Sequence, residues 1–199
     1  MSVTVAVCTL DRPRLLRGAL ESLARMDRPG SLDWEVLVVD NGGAPGTVAV
    51  VEALKPRLPI RRVREDRLGL SHARNRALGE SRAAWVAWID DDVRVDSGWL
   101  AAYADAFEAW PDAAFFGGPI RPAFEGEPPA WLEEAFDALP AVRAAYGERD
   151  VAADSVEIRR REDLPYGGNF AVRNDVLPRR PFDPRLGRRG EDPVARLDL

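Results

Sequence analysis

The sequence predicts an α/β fold in which a mostly parallel central sheet carries helices on both faces. Segments with the pattern of strands and of helices alternate through the first 110 residues, and such alternation produces parallel strands joined by right-handed crossovers. Most of the strand segments are uninterrupted apolar runs, as expected for strands covered on both faces. The helix segments instead repeat apolar residues at helical spacing.

The first half contains four predicted strands and four predicted helices in alternation. The strands are bounded by turn-rich segments and are predicted at residues 3–9, 34–40, 60–65 and 83–89. The helices start near prolines or capping residues and are predicted at residues 14–26, 47–56, 71–81 and 97–110. Short polar side chains favour N-caps, so we expect Asp11, Ser71 and Ser97 to cap the first, third and fourth helices.

The second half is less regular than the first. It contains a predicted strand near 113–120, a helix near 129–139 and a strand near 167–173, joined by connections rich in proline and glycine. We therefore expect one domain over residues 1–199, in which a half of nucleotide-binding type (1–110) precedes a more variable half (111–199).

Charge and cysteine content exclude several classes of protein. The 28 basic and 33 acidic residues give a net charge of -5, which argues against general nucleic-acid binding. One histidine and one cysteine are too few for a Cys/His zinc site or an internal disulfide. The sequence shows no membrane-spanning run and no signal peptide, so a cytoplasmic location is expected. The basic segment 178–189 is interpreted either as a solvated loop or as a contact with anionic lipid or with a lipid-linked diphosphate acceptor.

Polar and acidic side chains follow all four predicted strands of the first half. Ligands of open parallel sheets bind beyond the carboxyl ends of the strands, so these side chains are expected at one edge. Turn formation and helix capping account for Asp11 and Asp66 taken singly. They do not account for three consecutive carboxylates in "WIDDDV", where one cap would suffice. The residues at this edge are Thr9, Asp11, Asp40, Asn41, Glu65, Asp66, Asp90, Asp91 and Asp92.

This acidic edge would repel a diphosphate unless a cation lay between them. Glycine-rich phosphate loops are missing, because the sequence has no G-x-x-x-x-G-K-[ST] and "GGAPG" lacks the G-x-G-x-x-G spacing. Mg²⁺ or Mn²⁺ takes one or two protein carboxylates together with phosphate oxygens. A D-x-D at a strand end, here Asp90 and Asp92, fits that arrangement.

The chain resembles the GT-A-fold glycosyltransferases, most closely family 2. Each matching segment is a weak pattern by itself, and the signal lies in their order along the chain. The segments are "VTVAVCTLDRPRLLRGALESL", "WEVLVVDNGG", "GLSHARNRAL", "WIDDDVRVDSGWL", "YGGNFAVRNDVL" and "FDPRLGRRGED". The resemblance implies a Rossmann-like GT-A sheet and makes residues 111–199 the acceptor-side half.

The resemblance also implies roles for individual residues. Asp40 would contact the base, Arg74 and Asn75 would lie beside the nucleotide, and Asp90 would meet the ribose or the metal. Asp92 would be the ligand of a Mn²⁺ or Mg²⁺ cofactor. The full set expected to bind the nucleotide-sugar is Thr9, Asp11, Asp40, Arg74, Asn75, Asp90, Asp91, Gly168 and Asn169.

The segment "FDPRLGRRGED" resembles the loop that carries the catalytic base of the family. Asp192 would take the proton of an acceptor hydroxyl, which permits single displacement with inversion at the anomeric carbon. Glu191 would hydrogen-bond the acceptor. From the residues alone, without the order of the motifs, a solvated pair of carboxylates between a glycine and Pro193 is the favoured interpretation. The implied donor is a nucleotide diphosphate-sugar, with a UDP-sugar favoured, and the implied acceptor is a saccharide or lipid-linked hydroxyl.

Two other functions compete with a glycosyltransferase. The sequence ends seven residues after Asp192, which motivates a non-catalytic nucleotide-sugar-binding domain or an inactive, truncated family member. A Mg²⁺-dependent phosphatase or phosphotransferase with an aspartyl nucleophile would place D-x-D-x-[TV] after its first core strand. Here the acidic triplet follows the fourth strand and Arg94 occupies the position of Thr or Val, which argues against that class.

Overall fold

The computed structural model describes residues 1–30, 32–150, 155–160, 163–177 and 181–186. Helices and strands alternate as predicted and form a six-stranded sheet in the order β3-β2-β1-β4-β6-β5. The strands are β1 Ser2–Thr9, β2 Asp33–Asn41, β3 Ile60–Glu65, β4 Trp85–Asp90, β5 Phe115–Gly117 and β6 Asn169–Arg173. The helices are α1 Pro13–Leu23, α2 Pro45–Leu54, α3 Leu70–Glu80, α4 Trp99–Ala109, α5 Ala130–Ala138 and α6 Pro140–Ala145.

The strand directions confirm a mostly parallel sheet. Strands β1 to β4 pair in parallel, whereas β6 runs antiparallel to both β4 and β5. Side chains alternate between the two faces along each strand. Both faces of the sheet are covered, so each strand contributes residues to two apolar clusters. In β1, Val3, Val5 and Val7 belong to one apolar cluster, and Ala6 belongs to the other.

The two faces are covered by different helices. The larger cluster takes its helical residues from α1, α2 and α4, and the smaller one takes them from α3. Trp85 stacks on Phe107 in the larger cluster, with ring centroids 4.0 Å apart. Trp88 stacks on Phe170 in the smaller one, at 4.8 Å. Both tryptophans of β4 are therefore core residues, and they hold the strand that ends in the acidic triplet.

Three predicted N-caps are wrong, because no side-chain cap bond forms at these helices and the N-cap positions are Arg12, Gly69 and Gly98. Asp11 is exposed and lies in the left-handed region with a φ of 48°. It stands one residue before the N-cap position of α1. Ser71 is already inside the first turn of α3. Ser97 precedes the N-cap, and its carbonyl accepts a bond from the Asp27 N–H.

The second half departs most from the sequence prediction. Strand β5 has only three residues, and helix α6, which starts at Pro140, was not predicted. Proline is tolerated at the first helical position, so this residue begins a helix instead of ending the preceding segment. Among the described residues, no helix has the length and apolar character needed to cross a membrane.

Candidate active site

The acidic triplet forms a tight turn at the carboxyl end of β4. Asp90 is the last residue of the strand, and its carbonyl accepts a bond from the Val93 N–H. The side chains of Asp90 and Asp92 are each 46% exposed, whereas that of Asp91 is 4% exposed. The turn therefore presents the first and third carboxylates to solvent and directs the middle one inward.

Asp91 is satisfied within the protein. Thr9 Oγ1 donates to its Oδ2 at 2.6 Å, and Arg12 Nη1 lies 2.9 Å from its Oδ1. Burial raises the pKa of Asp91, and the Thr9 hydrogen bond and the Arg12 charge oppose that rise. Thr9 and Asp91 were both expected at the nucleotide-sugar, and here they bind each other.

Arg12 was not identified from the sequence. Its Nη1 contacts Asp91, and its Nη2 donates to Asp92 Oδ2 at 2.5 Å, so one guanidinium bridges two carboxylates of the triplet. The bridge offsets the repulsion between adjacent like charges. The pairing of β1 with β4 could have indicated it, because neighbouring parallel strands place their following turns side by side.

We expect Arg12→Gln to lower the free energy of unfolding by roughly 1–2 kcal/mol, because Asp91 stays buried while one of its two side-chain partners is lost. Urea unfolding at neutral pH measures this loss. Arg14→Gln is the matched control, since Arg14 is an exposed arginine on the same helix. Equal destabilisation by the two substitutions would show that the bridge contributes nothing specific.

A glycine pair faces Asp90 from the start of β6. A Cβ at Gly168 would lie 3.3 Å from Asp90 Oδ2, and one at Gly167 would lie 2.6 Å from Arg74 Nη2. Arg74 donates to the Gly167 carbonyl at 3.0 Å and lies 3.9 Å from Asp90 Oδ1. The backbone thus passes close to the Asp90 carboxylate, and side chains at these two positions would crowd it.

Asn169 fixes the backbone at this point. Its Oδ1 accepts bonds from Trp99 Nε1 at 3.0 Å and Tyr103 Oη at 2.8 Å, and its Nδ2 donates to the Pro119 carbonyl at 2.9 Å. The residue is only 7% exposed. The sequence predicted contact with the donor, whereas the structure shows an amide engaged by three protein groups, which holds the adjacent Gly168 in place.

The polar side chains at the end of β2 form hydrogen bonds within the protein. Asp40 is wholly buried, its Oδ1 accepts from the Gly43 and Ala44 N–H groups at the start of α2, and its Oδ2 binds Arg62 at 2.8 Å. Asp40 is thus the second-last residue of β2 and supports the turn that leads to α2, and its contact with the base stays a prediction. Asn41 Oδ1 accepts from the Gly69 N–H, which ties β2 to the loop before α3.

Glu65 is paired with Arg67 at the end of β3, through Oε1 at 2.8 Å and Oε2 at 3.0 Å. The Arg67 hydrogen bonds lower the pKa of Glu65 from 4.5 to about 2. A carboxyl whose folded pKa is depressed stabilises the fold above its unfolded pKa. This stabilisation is lost as the pH falls from 4.5 towards 2.

We expect Arg67→Met to raise the pKa of Glu65 towards its ordinary value. The free energy of unfolding should then depend less steeply on pH between 4.5 and 2 than in the wild type. NMR titration of the Glu65 carboxyl and urea unfolding across that interval measure the two effects. Arg64→Met, which removes the partner of the exposed Asp66, should leave the Glu65 titration unchanged; a shift of equal size in both variants would contradict the assignment.

The residues at this edge suit a metal site that substrate oxygens complete. They do not surround an ion by themselves. Within the described ranges, no three His, Cys, Asp or Glu side chains come together as a metal site. Asp90 and Asp92 nevertheless offer two partly exposed carboxylates on one turn. Mg²⁺ needs only one or two carboxylates when substrate phosphates and water complete its coordination. The predicted metal ligands therefore fit an ion that arrives with a diphosphate.

Of four other predicted residues, the structure places two. Asp11 is exposed at the turn after β1. Asn75 lies on α3, where its amide binds the backbone of Phe182. Asp192 and Glu191, the predicted base and its neighbour, lie outside the described residues, and only part of the basic segment 178–189 is described.

Comparison with known sequences identifies a family and several relatives, of which two are described here. The model described as Glycosyl transferase family 2 matches residues 4–190. The Rhizobium meliloti (strain 1021) succinoglycan biosynthesis protein ExoM is 34% identical over 134 residues, 66% of this chain and 43% of that protein. The Haloferax volcanii glucosyl-dolichyl phosphate glucuronosyltransferase is 27% identical over 198 residues, 98% of this chain and 60% of that protein. The chain thus spans about half the length of these relatives.

Comparison with solved structures confirms the fold. S. aureus TarS 1-349 superposes with a TM-score of 0.62 at 20% identity, covering 87% of this chain and 47% of that one. The mannosyltransferase PcManGT from Pyrobaculum calidifontis, in complex with GDP-Man and Mn²⁺, gives 0.53 at 22% identity, covering 86% and 44%. At these identities the likeness concerns the fold alone, and it confirms the GT-A architecture predicted from the sequence.

Proposed function

Since the chain belongs to glycosyl transferase family 2, we propose that it transfers a sugar from a nucleotide diphosphate-sugar to a hydroxyl of a saccharide or lipid-linked acceptor. The observation that carries the proposal is the arrangement at the end of β4. The side chains of Asp90 and Asp92 are each 46% exposed, with Arg74 beside the first and Arg12 bound to the second, and Gly168 lies against Asp90. The turn thus presents two partly exposed carboxylates beside a glycine backbone that allows close approach.

The proposed cofactor is Mn²⁺ or Mg²⁺, with Asp92 as the main ligand and Asp90 shared between metal and ribose. When bound, such an ion would offset the charge that develops on a departing nucleotide diphosphate. The structural relative PcManGT contains GDP-Man and Mn²⁺, which supports a donor of this class. A UDP-sugar is the favoured donor.

The proposed reaction is a single displacement with inversion. The acceptor oxygen forms a bond to the anomeric carbon, the bond from that carbon to the diphosphate oxygen breaks, and Asp192 receives the hydroxyl proton. Glu191 orients the acceptor by a hydrogen bond. Arg74, held beside Asp90 and the Gly167 carbonyl, contributes positive charge on the side where the diphosphate would lie.

The proposal is tested by calorimetric titration of UDP, GDP and dTDP into the protein, with and without Mn²⁺. We expect one nucleotide to bind, and to bind only with the metal, because the carboxylates at this edge repel a diphosphate and Arg12 is already bound to two of them. That nucleotide then selects the sugars for a turnover screen. A folded protein that binds none of the three would contradict the proposed donor class.

A further inference from the structure

Two arginines, Arg12 and Arg74, flank the exposed carboxylates of the triplet, and they differ in how firmly they are held. Arg74 donates to the Gly167 carbonyl at 3.0 Å, and its guanidinium lies over the Phe170 ring, 5.4 Å from the centroid. Its side chain is only 16% exposed, and Nη2 lies 3.9 Å from Asp90 Oδ1. Arg74 is therefore a fixed positive charge beside Asp90.

Arg12 is anchored through its backbone, and its side chain is held more loosely. It is the N-cap residue of α1, its carbonyl accepts a hydrogen bond from the Leu16 N–H at 3.0 Å, and Pro13 follows it at the first helical position. The side chain is 43% exposed. Within the described part of the chain, the hydrogen bonds and ion pairs of its guanidinium all go to Asp91 and Asp92. The guanidinium can therefore leave a carboxylate while the start of the helix keeps its place.

The two contacts of Arg12 differ in strength. Asp91 is 4% exposed and its other oxygen accepts from Thr9 Oγ1, so the contact with Arg12 Nη1 satisfies a buried charge. Asp92 is 46% exposed, and an ion pair between two exposed side chains contributes little because water competes for both groups. The contact with Asp92 is therefore the one that another cation can replace, while the contact with Asp91 persists.

Arg12 occupies the carboxylate that the proposed metal ion needs, since its Nη2 donates to Asp92 Oδ2 at 2.5 Å. Repulsion between the guanidinium and a divalent cation on the same carboxylate opposes binding of a bare ion. An ion that arrives with a diphosphate is in a different position. The phosphate oxygens offset the charge of the ion and offer the guanidinium a bidentate partner in place of Asp92.

We propose that Arg12 is a specificity-determining residue, which competes with a bare divalent cation at Asp92 and turns to the phosphates when the cation arrives as a metal–diphosphate complex. The inference rests on the proposed function, because it assigns Arg12 a part in binding that class of donor. It predicts effects of opposite sign: without Arg12 the metal alone binds more tightly, and the nucleotide with the metal binds more weakly. Loss of a residue that only stabilised the turn would weaken both, and loss of one that only blocked the site would strengthen both.

The test is Arg12→Gln, with Arg14→Gln as the matched control, because Arg14 is an exposed arginine on the same helix. Binding of Mn²⁺ alone is followed by electron paramagnetic resonance of the free ion. The nucleotide selected from UDP, GDP and dTDP is titrated by calorimetry at saturating Mn²⁺. We expect Arg12→Gln to bind Mn²⁺ about 3- to 10-fold more tightly than the wild type and the nucleotide about 3- to 10-fold more weakly. Arg14→Gln should resemble the wild type in both measurements.

A second comparison assigns the change in Mn²⁺ affinity to Asp92. The protein has a net charge of -5, and removal of any positive charge could favour cation binding at other carboxylates. In the Asp92→Asn background, Arg12→Gln should leave the affinity for Mn²⁺ unchanged, because the carboxylate for which the two cations compete is gone. Equal tightening in both backgrounds would indicate a general effect of net charge and would overturn the inference.

Two further results would also overturn it. Unchanged or weaker binding of Mn²⁺ alone by Arg12→Gln would show that Arg12 does not compete with the ion. Tighter Mn²⁺ binding with unchanged or tighter nucleotide binding would show that Arg12 does not turn to the phosphates.

Arg12→Lys keeps the positive charge without the planar fork that bridges two carboxylates. It should shift both affinities in the same directions as Arg12→Gln but by less, and it replaces that variant if Arg12→Gln does not fold. If the wild type binds none of the three nucleotides, the proposed function fails, while the titration of Mn²⁺ alone still decides whether Arg12 competes with the ion.

Discussion

Asp92→Asn is expected to abolish metal-supported nucleotide binding, with affinity lower by at least about 100-fold, while the protein stays folded. The amide keeps the size of the carboxylate and can still accept the Arg12 hydrogen bond, so the turn after β4 survives. It lacks the charge that a divalent cation requires, and Asp90 alone is left to hold the ion. Calorimetric titration of the nucleotide with Mn²⁺ measures the loss.

Asp66→Asn is the matched control for this substitution. Asp66 follows β3 at the same edge of the sheet, but its side chain is 75% exposed and pairs with Arg64. The control should bind the nucleotide like the wild type. Equal affinity in Asp92→Asn and the wild type would contradict the assignment of Asp92 as a metal ligand. Equal losses of affinity in Asp92→Asn and Asp66→Asn would indicate a general effect of negative charge at this edge of the sheet.

Asp192→Asn is expected to lower the rate of transfer by about 100- to 10,000-fold, the range that a general base contributes, without changing nucleotide affinity. The amide cannot take the proton of the acceptor hydroxyl, and the residues that face the donor are unchanged. Single-turnover measurement with the selected donor, beside calorimetric titration, separates the two effects. Glu191→Gln is the comparison variant and should raise the KM for the acceptor more than it lowers kcat.

The same pair of variants separates an enzyme from a binding domain. A domain that only binds the nucleotide-sugar would bind it with and without Asp192 and would show no transfer in the wild type. Transfer that survives in Asp192→Asn and falls in Glu191→Gln would exchange the two proposed roles. Transfer that survives in both variants would require a base elsewhere in the protein.

The regular part of the fold was predictable because local pattern determines it. The first four strands and helices have apolar spacing that only one element type can bury, and their observed bounds differ from the prediction by at most a few residues. Strand β5 and helix α6 were harder to predict from the sequence. A strand of three residues leaves almost no periodic signal, and a proline can either end a segment or begin a helix.

The partners of the polar side chains were not predictable in the same way. The triplet was identified as unusual, but Arg12 contacts it from 80 residues away in the sequence, and Asn75 contacts Phe182 from 107 residues away. Sequence spacing indicates which residues share a helix face or a strand end. It does not indicate which of them will satisfy one another, as the buried Asp40 shows.

A two-residue bridge closes the base of a long loop between β5 and β6. Ile120 and Arg149 form an antiparallel bridge, with N–H to carbonyl distances of 2.7 and 2.8 Å, and Ile120 approaches the Gly168 position. Residues 121–148 therefore form a loop whose two ends are joined by this bridge, outside the six strands of the sheet. A segment anchored in this way is modular: we expect that its length and composition can diverge between related proteins, or be exchanged by grafting, while the turn at Asp90 keeps its geometry.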